Sequence, residues 1–275
     1  MTRANVGLRD GRWLGRAIVA GIVVLVIVPL VPLVIYSFSG RWLYPDLLPS
    51  LWGVRAWEYV IDGRSRVLEA FITSSSIALS VTGICILLGV PAGRGLAALP
   101  PAPRAVLEFL FFAPVIIPAL AASLGLHVVF LRIGLANTSL GVIVSHLLPT
   151  LPYMVLVMAS TFSNDDGQLE HQARTLGAGP VRAFLIVGLP SAVPGVLTGA
   201  LFVFLISWSQ YALTLLVGGG RVMTLPVLLF AFASAGDLSI TAALSLVFVT
   251  PAVLILAVTA RYLTGKSVAL AGVAK

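Results

Sequence analysis

The sequence predicts an all-α polytopic membrane protein with six transmembrane helices, and three observations carry that expectation. The 275 residues are 59% hydrophobic and only 10% charged, with mean hydropathy +1.07; a soluble domain carries about 25% charged residues. The apolar residues fall in long, nearly uncharged stretches, and roughly 20 such residues cross a bilayer. The 17 Lys and Arg are unevenly shared between the segments that separate those stretches. The single cysteine, Cys85, lies in an apolar run, has no partner for an intrachain disulfide and reads as a small buried residue.

The chain opens on a basic tail, residues 1–16, with Arg3, Arg9, Arg12 and Arg16. The uncharged stretch that follows is longer than the roughly 7–15 residues of a signal-peptide core. Pro29 and Pro32 stand where a cleavage site would be, so it reads as a retained first span, about 17–38. A mixed loop over 39–68 carries Trp42, Tyr44, Trp52, Trp57 and Tyr59, residue types that favour the membrane–water interface. The second span is about 70–93. Pro100, Pro101 and Pro103 break it from the third, about 106–131. A short turn leads to the fourth, about 139–162. Pro114, Pro118, Pro149 and Pro152 fall inside these spans; such prolines allow kinks that serve either a gated pathway or irregular packing.

After a polar segment the fifth span runs about 195–217, entered through Pro190 and Pro194. Residues 222–236 are uncharged but too few to cross comfortably and read as a re-entrant or outer-surface segment. The sixth span is about 239–260. The domain plan is a tail (1–16), one membrane domain (17–263) and a second tail (264–275). With the N-terminus inside, eleven of the 17 Lys and Arg fall on inner segments, which places both termini in the cytoplasm.

The polar segment, residues 164–190, stands apart. Asp165 and Asp166 are candidate helix N-caps, with Gln168 three residues after Asp165. Leu169, Ala173 and Leu176 recur on one helical face. Glu170 and Arg174 are spaced as an i,i+4 pair, and Gly177, Gly179 and Pro180 end the helix. A short helix of this kind either receives a docking partner or lies on lipid headgroups.

Residues 169–190, LEHQARTLGAGPVRAFLIVGLP, resemble the cytoplasmic-loop motif of binding-protein-dependent ABC-transporter permeases: EAA, three residues, Gly, nine residues, Ile-x-Leu-Pro. Ala173 takes the second Ala, Gly177 the Gly, Val187 the Ile, and Leu189 and Pro190 the closing pair. The front departs from the pattern. His171 stands at the Glu, Gln172 at the first Ala, and Glu170 one place early. The resemblance spans most of residues 50–265, and residues 218–248 look most like the spermidine/putrescine-type subgroup.

It implies the type I importer permease fold, working by alternating access. It also implies docking on ABC ATPase subunits through Glu170, His171, Ala173, Arg174, Gly177 and Ala178, with either Glu170 or His171 making the key contact. The implied assembly adds a second, different permease subunit and an extracytoplasmic substrate-binding protein. ATP and Mg belong to the partner ATPase, and no cofactor, metal or catalytic residue is expected on this chain. Polyamine leads as substrate.

Other motifs carry less. Residues 260–267 nearly spell a phosphate-binding loop, but Ala260 replaces its first Gly and no strand precedes it. The basic balance is explained by the membrane flanks, so no nucleic acid is expected. Asn137, Thr138 and Ser139 form a glycosylation triplet in a very short turn and read as coincidence. Gly89 and Gly93, like Gly195 and Gly199, have the spacing that lets helices approach closely.

His127 and His146 lie within spans, where each either holds the bundle together or serves function. Ser207, Trp208, Ser209, Gln210 and Tyr211 form the most polar cluster within a span and read as pathway lining or as helix packing. An ion-gradient transporter is the rival reading, but it would need ionisable residues in mid-span, and the charges here cluster at span ends. A membrane-embedded enzyme would need a His or carboxylate cluster with catalytic geometry.

Overall fold

The structure, a computed structural model, describes residues 15–273 except 19, 23, 26, 43, 44 and 166, with the backbone alone over 262–273. The basic tail to residue 14, Tyr44 and the candidate cap Asp166 lie outside the described residues, and the first span falls on them in part. The described residues between 15 and 27 are mostly helical. The chain divides into two units, residues 1–65 with 229–249 and residues 66–228 with 250–275.

In the first unit, α1 (Leu30–Ser37) leads into a small antiparallel hairpin, β1 (Ser39–Arg41) and β2 (Leu51–Trp52), and then α2 (Arg55–Ile61). The sequence pattern predicts only a loop here. The hairpin is tied down by polar contacts: Arg55 Nη2 sits 2.8 Å from both carboxylate oxygens of Asp237, and Ser39 and Ser239 hydroxyls lie 3.0 Å apart. Tyr36 stacks on Trp42 at 4.2 Å.

The second unit is built on α3 (Val67–Ala97) and α6 (Ser139–Ser163), the most extensively packed pair. Glycine sets their separation. A Cβ at Gly93 would lie 2.7 Å from the Val155 carbonyl and 2.8 Å from the Ala159 amide, and one at Gly89 would strike Met154. Gly199 performs the same service on α10 (Val193–Trp208), where a Cβ would lie 2.6 Å from Met154 Sδ. Cys85, Val142, Met154, Met158 and Val203 share the resulting core.

The segment read as one third span is instead two helices, α4 (Pro101–Ile116) and α5 (Ala119–Ile133), bent 90° at the break. Pro118 has no N–H to continue the ladder, and it drives Ile117 into extended backbone (φ −71°, ψ 132°). The fifth span also departs from its expected bounds. Residues 180–191 are helical rather than loop, as α8 (Pro180–Ala183), a π-turn over Phe184–Gly188 and α9 (Leu189–Ser191), and bend 69° into α10. Pro190 lacks the amide that would hold a regular turn, and the Leu189 amide reaches back to the Phe184 carbonyl. Beyond α10 the helix stops and resumes as α11 (Ala212–Gly218).

Two helices remain. The short α12 (Leu225–Ser234) begins with the Leu225 amide donating to Ser74 Oγ at 2.8 Å. The last helix, α13 (Leu238–Val273), carries the phosphate-loop-like residues 260–267 as continuous helix.

Candidate functional site

The segment between α6 and α10 forms a compact platform around α7 (Gln168–Thr175). Its start differs from the expected cap. Gly167 is the N-cap, at φ +65°, with no side-chain cap. Asp165 lies outside the helix, where Oδ1 accepts from the Gly167 amide and Oδ2 from Ser191 Oγ, each at 3.1 Å. The carboxylate therefore ties the two ends of the platform together. The end of α7 follows from Gly177. The Gly177 amide donates to the Arg174 carbonyl and the Ala178 amide to the Ala173 carbonyl, a Schellman arrangement that requires the left-handed backbone Gly177 adopts at φ +92°.

Glu170 does not pair with Arg174. Its Oε2 accepts from Arg94 Nη2 at 2.8 Å, across from the last turn of α3, and its side chain is only 18% exposed. The Arg94 guanidinium lies 4.3 Å from the centre of the Phe184 ring and 6.0 Å from that of Phe162, within cation–π range. A Cβ at Gly188 would overlap the Glu170 carboxylate, so the π-turn supplies both the ring beneath the cation and the gap for the anion. A cavity of about 230 Å³ opens beside the pair, with Asp165, His171 and Arg174 on its wall. His171 and Arg174 are exposed; Ala173 and Ala178 are half-buried. Leu169 and Leu176 are 62% and 88% exposed, so the apolar stripe read from the sequence points away from this chain's own core.

The polar cluster of the fifth span sits at the interruption between α10 and α11 and divides. Ser207 and Trp208 are buried. Ser207 Oγ lies 2.9 Å from His146 Nδ1, and Trp208 stacks on Phe204 and meets Phe71 edge-on. Ser209 is exposed, and Gln210 and Tyr211 are half-buried in the unwound link. Gln210 lines a second cavity of about 230 Å³ with Ile117, Pro149, Tyr153 and Leu213. That cavity lies where the α4–α5 break, the proline-bearing turn of α6 and the α10–α11 break come together. Irregular backbone at membrane depth persists where protein buries it or where it lines a cavity.

Of the two span histidines, His146 is fully satisfied: Nε2 lies 3.0 Å from Thr214 Oγ1. His127 is half-buried, and its Nδ1 has no hydrogen-bond partner among the described residues. No group of three or more His, Cys, Asp or Glu among the described residues could hold a metal.

Sequence reasoning missed Arg94, Phe184 and Gly188. Arg94 was legible only as one more inner-side charge. Phe184 and Gly188 fall in the unspecified nine-residue gap of the loop motif and on its x position. Pro190 was the available signal, since a proline inside a helical run disturbs the preceding ladder.

The chain is 29% identical to the molybdenum transport system permease protein ModB of Mycobacterium bovis, over 89% of this chain and 91% of that one. It is 28% identical to the spermidine/putrescine transport system permease protein PotB of Escherichia coli, over 59% of this chain and 67% of that one. A bacterial ABC transporter that imports alginate has a chain with the same fold, at TM-score 0.67 and 17% identity, covering 95% of this chain and 99% of that chain. A chain of the MetNI methionine ABC transporter aligns at TM-score 0.58 and 15% identity, over 72% of this chain and 94% of that one. Residues 85–266 match the model of the binding-protein-dependent transport system inner membrane component, and the chain belongs to that family of bacterial inner-membrane permeases.

Proposed function

We propose that this chain is half of the transmembrane pathway of an ATP-driven importer, and that the platform around α7 is where the ATPase subunit docks. The observation that carries the reading is a capped helix with outward apolar knobs, Leu169 and Leu176, set between two membrane-spanning helices. His171, Ala173, Arg174, Gly177 and Ala178 form the docking element, and ATP with Mg is bound by the partner. A second permease subunit completes the pathway, and an extracytoplasmic binding protein delivers the solute. The docking helix shifts the transporter between outward- and inward-facing states by the difference in its contacts in each.

For the substrate, a small oxyanion is the first reading. The sequence has no Asp or Glu in residues 70–107, 109–164 or 171–236, so this chain itself supplies no counter-charge to a polycation crossing those spans. ModB, whose name gives molybdenum, is similar over most of this chain. Polyamine is the second reading, favoured by the likeness of residues 218–248 to the spermidine/putrescine subgroup and by PotB.

The test is purification of the tagged chain in mild detergent with identification of co-purifying proteins, followed by reconstitution with the binding protein. ATP-dependent uptake of molybdate in preference to spermidine supports both parts. The opposite preference moves the substrate to polyamine. A chain that purifies without an ATPase, with uptake indifferent to ATP, removes the importer reading.

A further inference from the structure

We propose that the Arg94–Glu170 ion pair is the joint through which movement of α7 is passed to α3, and that Glu170 is a positioning residue rather than a contact to the ATPase. This rests on the docking role assigned to α7. Four observations meet at the pair. Glu170 is largely withdrawn from the surface at 18% exposure, while the neighbouring His171 is exposed. The carboxylate engages Arg94 at 2.8 Å on a helix 76 residues earlier. The guanidinium is seated over Phe184. The space for the carboxylate exists because residue 188 is glycine within a π-turn.

A carboxylate placed to meet a partner would face outward; this one is locked into its own subunit. An ion pair shielded on one face by an aromatic ring is less screened than an exposed pair. Its two long side chains are held by packing as well as by charge, so the joint resists both separation and sliding. α3 packs closely against α6 through Gly89 and Gly93. A displacement of α7 therefore reaches α3 through this side-chain contact, beside the short backbone link that joins α7 to α6.

The experiment compares R94Q, E170Q, R94Q/E170Q and R94K in the reconstituted transporter with its ATPase and binding protein. The Arg94 side chain is 40% exposed and that of Glu170 18%, so removing Arg94 leaves the less exposed carboxylate without its partner, whereas removing both avoids that penalty; the double variant therefore tests function apart from folding. The expected result is that R94Q/E170Q retains the ATPase at wild-type stoichiometry with basal hydrolysis intact. Stimulation by the loaded binding protein and uptake both fall about tenfold, within the usual span of coupling between sites. R94K keeps the charge but loses the flat stacking on Phe184 and falls between.

Full stimulation and uptake in the double variant would overturn the proposal. So would loss of the ATPase from E170Q but not from R94Q, which would make Glu170 the docking contact, and so would loss of the ATPase from the double variant, which would make the pair mere scaffold. Failure of the wild-type chain to hold any ATPase is a different result, because it removes the functional reading on which the joint rests.

Discussion

His146 Nδ1 accepts the hydroxyl hydrogen of Ser207, at 2.9 Å, in the buried seam between α6 and α10. The assignment follows from the other side of the ring. Thr214 Oγ1 donates to the Gln210 carbonyl at 3.0 Å, so toward the imidazole it accepts the Nε2 hydrogen. One neutral histidine thus joins three helices, including the two on either side of the break at residues 209–211. H146A should destabilise the folded protein by about 2 kcal/mol or more, from the cavity left and the Ser207 hydroxyl stranded. S207A removes a single bond and should cost about 0.5–1 kcal/mol. Thermal unfolding in detergent measures both; equal and negligible shifts would mean the histidine does not hold the seam.

The contact of α3 with α6 gives an internally controlled test. G93A places a methyl 2.7 Å from a carbonyl oxygen and 2.8 Å from an amide nitrogen, in rigid backbone. The helices must part, at a cost of about 1–3 kcal/mol. Two residues on, a Cβ at Gly95 meets nothing within 4 Å. G95A should be neutral or slightly stabilising, through helix propensity. The yield of monodisperse protein and its melting temperature separate the two, and comparable behaviour would refute the packing argument.

These cases mark what the sequence could and could not convey. Gly89 and Gly93 were visible as a close-approach spacing, and the helices they join were visible as long apolar stretches, because both signals are local. The end of α7 was equally legible, since a left-handed residue needs Gly177 whatever surrounds it. The 90° turn at Ile117–Pro118 was not. Pro118 signals a broken ladder, but the direction and size of the bend are decided by what the two half-helices pack on. Glu170 is the sharpest failure. Helical spacing offered Arg174, four residues away, and a partner 76 positions earlier left no mark in the local pattern. The five polar residues 207–211 read as one cluster, yet the helix interruption sends Ser207 and Trp208 into the core and leaves Gln210 at a cavity.

Gly177 should be intolerant for reasons of backbone, not space. Nothing lies within 4 Å of a Cβ there, but φ is +92°, and a side-chain-bearing residue in left-handed backbone costs roughly 1–2 kcal/mol. G177A should fray the end of α7 and weaken ATPase retention, and G177R should abolish uptake while insertion into the membrane stays normal. G179A, at φ −63° with nothing within 4 Å, is the matched control and should transport normally. Normal uptake by G177R would show that this helix end plays no part in coupling.

Gln210 is the residue whose replacement should change handling of the solute without changing assembly. It stands in an unwound link at a cavity formed by three irregular segments, and its amide both donates and accepts. Q210A should therefore raise the solute concentration needed for half-maximal uptake several-fold, with ATPase retention and basal hydrolysis unchanged; truncating one neutral hydrogen-bonding group costs roughly 0.5–1.5 kcal/mol. Q210E separates the two substrate readings. A carboxylate at this point repels an oxyanion and attracts a polyamine, so molybdate uptake should fall further than in Q210A, whereas spermidine uptake would improve. S207A is the control, because Ser207 is committed to His146 and its loss should reduce stability without moving the half-maximal concentration. If S207A shifts that concentration as much as Q210A does, the cavity is not where the solute is felt, and the break in the fifth helix serves packing alone.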